Sequence, residues 1–304
     1  MIYTVTFNPS IDYIMRVDTF QEGGLNRAKE TYKFAGGKGI NVSRVLNTLE
    51  TPSTALGFVG GFPGKFIQDA LQQAGIKNDF IEVEEDTRIN VKLKSGQETE
   101  INAGGPTISN QAFEALLTQI KNTNADDTVV VAGSVPKSIP DKAYEQIAKI
   151  TQKTGAKLVV DAEKDLVETV LPYNPFFIKP NKDELEVMFD TNITSDNDVV
   201  THGKAILDKG AQAVIVSLGG EGAIYIDAEH CIKASVPKGN VLNTVGSGDS
   251  TVAGMLAGLA QGFDVHEAFR NAVASGTATA FSQDLANKEM IEKVRSEIEL
   301  TDLK

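Results

Sequence analysis

Residues 243–250 read NTVGSGDS, two glycines and an acid set just ahead of TVAGMLAGLAQG, an apolar run that reads as a helix ending near Gly262. Glycines at 246 and 248 let the chain turn tightly, and the first amides of the helix then point at whatever lies beyond its positive end. That is the makings of an anion hole. An aspartate among such amides is suited to take a proton from a hydroxyl while the N–H groups stabilise charge on a phosphoryl group in transfer. The plainer reading of Asp249 is a helix cap, or a complement to the helix dipole.

Three other segments carry chemistry. Residues 35–42, AGGKGINV, place three glycines, Lys38 and Asn41 just before the helical run SRVLNTLE. Close backbone approach with a cation and an amide at a helix start makes a cradle for a polyol phosphate, or simply a glycine turn. In residues 177–185, FIKPNKDEL, an apolar strand leads to Asn181 with Glu184 three residues on. That spacing is a capping box, and at the carboxyl edge of a sheet the same oxygens can hold a hydrated Mg²⁺ beside nucleotide phosphates. Residues 216–223, VSLGGEGA, run from a strand into a glycine-rich turn that passes under a nucleotide or merely reverses the chain.

Other chemistries lack their residues. His202, His230 and His266 have no ligand spacing and read as surface residues, which leaves metal and triad mechanisms unsupported. There is no G-x-x-x-x-G-K-[ST] and no G-x-G-x-x-G after a strand; GGFPGKF at 60–66 has the wrong spacing and no hydroxyl. Gly254 and Gly258 mark a helix that packs closely on a neighbour.

The net charge of −12 over 304 residues argues against a nucleic-acid backbone as partner, since such binders display basic stripes. An acidic protein that handles anionic ligands must gather its cations locally. No apolar run approaches the roughly 18 residues a membrane span needs, and the N-terminal residues read as a strand rather than a leader. Cys231 is the only cysteine, so no intrachain disulfide forms, and a reducing cytoplasm is the expected compartment.

The elements that must position these residues are those of an α/β protein. Apolar, β-branched runs at 2–7, 54–59, 128–132, 157–160, 176–179 and 213–217 alternate with helical patterns at 110–121, 141–154 and 196–209. That alternation implies βαβ units and a mainly parallel sheet covered on both faces. One segment differs. In residues 87–93, TRINVKL, Arg88, Asn90 and Lys92 share one face and Ile89, Val91 and Leu93 the other, and residues 98–102 follow the turn Ser95-Gly96. This is an antiparallel hairpin, either a plain edge hairpin with solvated charges or a small sheet with its polar face to a ligand and its apolar face to core or a partner subunit.

AGGKGINVSRVL, IKPNKDEL, VSLGGEGA and NTVGSGDSTVAG, spread over essentially the whole chain, together resemble the PfkB (ribokinase-like) family of carbohydrate kinases. The resemblance implies one ribokinase-like α/β domain over 1–304, with a mainly parallel Rossmann-like sheet, helices on both faces and a small β-sheet lid. Lid strands are expected within about 10–33 and 86–104, and a homodimer formed lid to lid. It implies ATP and Mg²⁺ as cofactors. Asp249 would be the catalytic base, with the amides of Gly246, Ser247 and Gly248 as the anion hole. Asp12, Gly37, Lys38 and Asn41 would hold sugar hydroxyls, and Arg88, helped by Arg27 and Lys92, the substrate phosphate. Asn181 and Glu184 would organise Mg²⁺ through water, with Lys179, Ser217, Gly219 and Gly222 near the nucleotide. TFNPSID with Asp12, GLNRA with Arg27, and TRINVKL with GQETEIN look most like the branch that phosphorylates fructose 1-phosphate at its 6-hydroxyl, giving fructose 1,6-bisphosphate. Tagatose 6-phosphate is the nearest alternative substrate. A catalytically silent sugar-phosphate sensor on the same fold is the alternative from another class, and the intact Asp249 argues against it.

Overall fold

The computed structural model describes residues 1–140 and 142–303. The chain opens with β1 (Ile2–Thr6), β2 (Ser10–Arg16), β3 (Glu30–Gly36), α1 (Lys38–Thr48), β4 (Ser53–Val59), α2 (Gly61–Gln73), β5 (Lys77–Asn78) and β6 (Ile81–Glu82). β7 (Arg88–Ser95) and β8 (Gln97–Ile101) precede α3 (Asn110–Lys121), β9 (Thr128–Ala132), α4 (Ala143–Thr154), β10 (Lys157–Asp161) and α5 (Lys164–Val170). β11 (Phe177–Ile178), α6 (Lys182–Phe189), α7 (Asp196–Asp208), β12 (Ala213–Ser217), β13 (Ala223–Asp227) and β14 (Cys231–Ala234) come next. α8 (Ser247–Ala260), α9 (Val265–Ala280), α10 (Lys288–Arg295) and β15 (Leu300–Asp302) complete the chain.

The main sheet runs β5-β4-β1-β9-β10-β11-β12 with every neighbouring pair parallel, and continues antiparallel through β13, β14 and β15. Alternation along its strands explains why it is covered twice. Val129 and Val131 of β9 and Leu158 and Val160 of β10 face a core with α3, α4, α6 and α7. Val130 and Val159, one residue out of phase, face α1, α8, α9 and α10. Each such side chain, fully buried, contributes about 1.5–3 kcal/mol. Parallel strands share a direction, so their carboxyl ends meet at one edge, where Thr6, Ala132, Asp161, Lys179 and Ser217 line a cleft.

α8 is buried along most of its length because it lies between the sheet and α9. The expected close packing is present: a Cβ on Gly254 would lie 2.6 Å from the Asn271 carbonyl oxygen, and one on Gly258 would lie 2.8 Å from Ala268 Cα.

A separate sheet, β3-β2-β7-β8, stands over the cleft as the expected lid. It is mixed: β7 and β8 form the antiparallel hairpin, while β2 and β7 run parallel with Ser10, Asp12 and Ile14 opposite Arg88, Asn90 and Lys92. Ile11, Ala35 and Ile89 on its other face close onto α2.

Boundaries differ from expectation in places. β3 runs to Gly36, since it pairs with β2 along its whole length. α1 begins at Lys38, so the glycine block is the helix start itself; Gly37, at φ 113°, supplies the break before it. α4 is seen from Ala143, and the expected start at Asp141 lies outside the described residues.

Candidate active site

A cleft of about 1300 Å³ between the lid and the carboxyl edge of the main sheet is lined by every residue given a catalytic, sugar-binding or nucleotide-binding role above except Arg27. Arg27 is exposed on the connection from β2 to β3, where Asn26 folds back onto the carbonyls of Gln21 and Gly24. His202, His230 and His266 are partly exposed and do not line the cleft.

At the floor of the cleft, Gly246 adopts φ 81° and is itself the N-cap of α8, with no side-chain cap bond. Asp249 is therefore not the cap. It is buried, and its Oδ2 accepts a hydrogen bond from Asn41 Nδ2 at 2.8 Å. Burial first, and then the nearby charge of Asp161, push the Asp249 carboxyl up to about 6, against the pull of Lys38, Asn41 and Lys179. A carboxylate tuned to that range is matched to proton abstraction near neutral pH. The Ser247 amide bonds the Thr244 carbonyl at 3.2 Å. Among the described residues, the Gly248 and Asp249 amides have no such backbone partner. Of the expected trio the Gly246 and Gly248 amides are thus without a backbone partner, and the Asp249 amide joins them.

Around Asp249 sit the cations. Lys38 Nζ lies 3.3 Å from Asp161 Oδ2, and Lys179 Nζ lies 3.4 Å from Asp161 Oδ1. Burial works against the Lys38 ammonium, yet Asp161, Asp249 and Glu184 together hold it above its usual value. Asp161 carried no signal in the sequence beyond being an acid at a strand end.

On the lid, Asp12 is held from three sides. Its Oδ1 accepts Ser10 Oγ at 2.9 Å and Asn90 Nδ2 at 3.2 Å, and its Oδ2 lies 3.7 Å from Lys92 Nζ. It also rests on Gly36, where a Cβ would come within 2.7 Å of its carboxyl carbon. Lys92 is buried between Asp12 and Glu100, the latter at 3.8 Å. Arg88 donates from Nε to the Asn8 carbonyl at 3.2 Å and from Nη1 to the Ala103 carbonyl at 3.1 Å. Burial draws its guanidinium down from the usual value against Asp12, but arginine stays charged. Asn90, on the polar face with Arg88 and Lys92, lines this pocket as well, and so do Asn8 and Ser10, which nothing in their spacing distinguishes.

At the other end of the cleft the capping box is fully formed: Glu184 Oε2 accepts the Asn181 amide and Asn181 Oδ1 accepts the Glu184 amide, both at 2.8 Å. Glu184 Oε1 is left over. Among the described residues no group of three or more His, Cys, Asp or Glu is placed to hold a metal ion. A cation here would keep its water and share the phosphates of a nucleotide, which is the habit of Mg²⁺. Gly219 and Gly222 shape the reversal from β12 to β13, and a Cβ on Gly222 would lie 1.9 Å from the Ala234 carbonyl. Val236, Gly239, Val241 and Phe281 add an apolar wall beside them.

The family model for pfkB family carbohydrate kinases matches residues 5–291. The chain belongs to that family. This kinase is 48% identical over 303 residues to the 1-phosphofructokinase of Bacillus subtilis (strain 168), covering 100% of both chains. It is 36% identical to the D-tagatose-1-phosphate kinase of Bacillus licheniformis, again over 100% of both. Its fold matches that of phosphofructokinase-2 from Escherichia coli, in complex with substrates and products, with a TM-score of 0.93 at 28% identity, covering 97% of this kinase and 98% of that chain.

Proposed function

We propose that the kinase transfers the γ-phosphoryl group of ATP to the 6-hydroxyl of D-fructose 1-phosphate, giving fructose 1,6-bisphosphate and ADP. The observation that carries this reading is that one cleft holds both a buried, uncapped carboxylate, Asp249, and a second cationic pocket, Arg88 and Lys92, on the lid. Asp249 takes the proton of the attacking hydroxyl, held in place by Asn41. The amides opening α8, with Lys38 and Lys179, stabilise the charge of the group in transfer. Asp12 orients the sugar hydroxyls, and Arg88 and Lys92 take the phosphate already present on the sugar. Lys179, Asn181, Glu184, Ser217, Gly219 and Gly222 receive the nucleotide. Bound on the nucleotide beside Asn181 and Glu184, Mg²⁺ would neutralise phosphate charge.

The similarity to a 1-phosphofructokinase at 48%, against 36% to a tagatose-phosphate kinase, supports fructose 1-phosphate over the tagatose epimers. An ATP-coupled assay over fructose 1-phosphate, tagatose 6-phosphate, fructose 6-phosphate and free fructose tests it. Fructose 1-phosphate is expected to have the highest kcat/KM, with the phosphorylated sugars far above free fructose. Comparable values for free fructose would remove the role given to Arg88 and Lys92.

We place the enzyme in the cytoplasm, which its single cysteine suits, and pair it with a second copy through the outer lid face. There Val91 lies opposite Ile101, which is 60% exposed, beside partly exposed Tyr13, Met15 and Leu93. Apolar groups left on a sheet face are stabilised by a partner that covers them. Light scattering should give twice the 32.6 kDa chain mass; a monomeric mass at micromolar concentration would reject the pairing.

A further inference from the structure

A buried anion beside the path of a phosphoryl group calls for an explanation, because it repels the charge that the reaction moves. Asp161 is such a group: it ends β10, is 2% exposed, and lines the cleft. Its Oδ1 has no hydrogen-bond partner, and its close contacts are two ammonium groups, one on each oxygen. Those two lysines come from different halves of the site. Lys38 opens α1, next to the lid, and Lys179 follows β11, next to the nucleotide end. The anion hole stands over them, since a Cβ on Gly248 would lie 3.1 Å from Lys179 Nζ and 3.9 Å from Asp161 Oδ2.

We propose that Asp161 is a positioning residue that clamps Lys38 and Lys179 at the point where the phosphoryl group crosses from nucleotide to sugar. The proposal rests on the kinase reading above. Two ammonium groups confined together repel each other. A carboxylate between them offsets that repulsion and leaves the trio with one net positive charge. Each lysine is long and flexible, and a fixed anion at its ammonium end removes the freedom that would blur the geometry.

A consequence of the clamp's charge shows in the surroundings of Asp249. Lys38 and Asn41 face it from α1, Asp161 from β10, and Lys179 from the segment after β11, with Glu184 of α6 acting on Lys38. Of these, Asp161 is the group whose charge disfavours the Asp249 anion. Its removal lowers the pH at which Asp249 ionises.

The test is Asp161→Asn, which keeps shape and removes charge, measured beside the unaltered enzyme with Mg-ATP and fructose 1-phosphate. The expected result is a kcat lower by about 10²-fold, as for a misplaced catalytic group, with both KM values within about threefold. The acid limb of the kcat/KM profile should move to lower pH. Asp161→Glu, which restores the charge on a longer stem, should return the limb toward its original position with part of the activity. A purely structural role would lower the thermal midpoint and leave the limb in place. An Asp161→Asn enzyme with kcat within threefold of the parent, or with its limb unmoved, overturns the proposal. If the Asn variant shows no cooperative unfolding transition, Asp161→Glu decides alone: parental kcat overturns the clamp, and a lowered kcat with the limb retained supports it. An unaltered enzyme inactive on every phosphorylated ketohexose would instead defeat the kinase reading itself.

Discussion

Asp249→Asn is expected to lower kcat by roughly 10² to 10⁴ while leaving the affinity for sugar phosphate and ATP nearly unchanged. Asparagine has the size of aspartate and still accepts the Asn41 amide through its own carbonyl oxygen, but it cannot take a proton. Stability separates this from a structural role. The folded-state pKa of Asp249, about 6, lies above the usual aspartate value, so between about pH 4 and 6 the folded chain keeps a proton that the unfolded chain has released. Stability conferred by that proton is lost as the pH rises through 6, and above it the ionised carboxylate is a standing cost. The Asn variant lacks this cost and should unfold at the same temperature or a higher one at pH 8. For the unaltered enzyme, kcat/KM should fall as the pH drops through about 6. A variant with more than a third of the parental kcat, or with a much lower thermal midpoint, would make Asp249 a structural residue.

Arg88→Ala is expected to weaken sugar-phosphate binding by roughly 2 to 5 kcal/mol, the range for removing one partner of a desolvated charge pair. The guanidinium is fixed in advance by the Asn8 and Ala103 carbonyls, so little side-chain freedom is lost when a phosphate arrives. ATP binds at the other end of the cleft, and its affinity should hardly change. Arg88→Lys should not rescue, because a lysine cannot bridge both carbonyls and still present a flat donor edge. Equal KM values for fructose 1-phosphate in the parent and Ala enzymes would leave Arg88 with only its bonds to the Asn8 and Ala103 carbonyls.

Much of this site could be read along the chain because its parts are contiguous motifs. GSGD carries its turn, its helix start and its acid within four residues, and the capping box of Asn181 and Glu184 fits within one helical turn. The hairpin was legible because strict alternation puts Arg88, Asn90 and Lys92 on one face. What could not be read was made by pairing across the fold. The parallel register of β2 and β7 sets Asn90 opposite Asp12, 78 residues away, and the Asn41 bond that orients Asp249 spans 208 residues. Asp161 is one acid among many until parallel strands bring its end beside those of β9 and β11. Arg27 shows the reverse: a basic residue in a suggestive motif, left on an exposed loop because Asn26 turns the chain back on itself. Glycines weaken the helical pattern at the start of α1, where the helix is fixed by what Ile40, Val42 and Val45 bury.

The most direct test of the account is phosphorus NMR of purified enzyme mixed with Mg-ATP and fructose 1-phosphate labelled at carbon 6. The predicted result is loss of the γ-phosphate signal of ATP matched by a new phosphomonoester coupled to carbon 6, at a rate that Asp249→Asn reduces at least a hundredfold. ATP consumed without a phosphomonoester on carbon 6, or no transfer to fructose 1-phosphate at all, would contradict it.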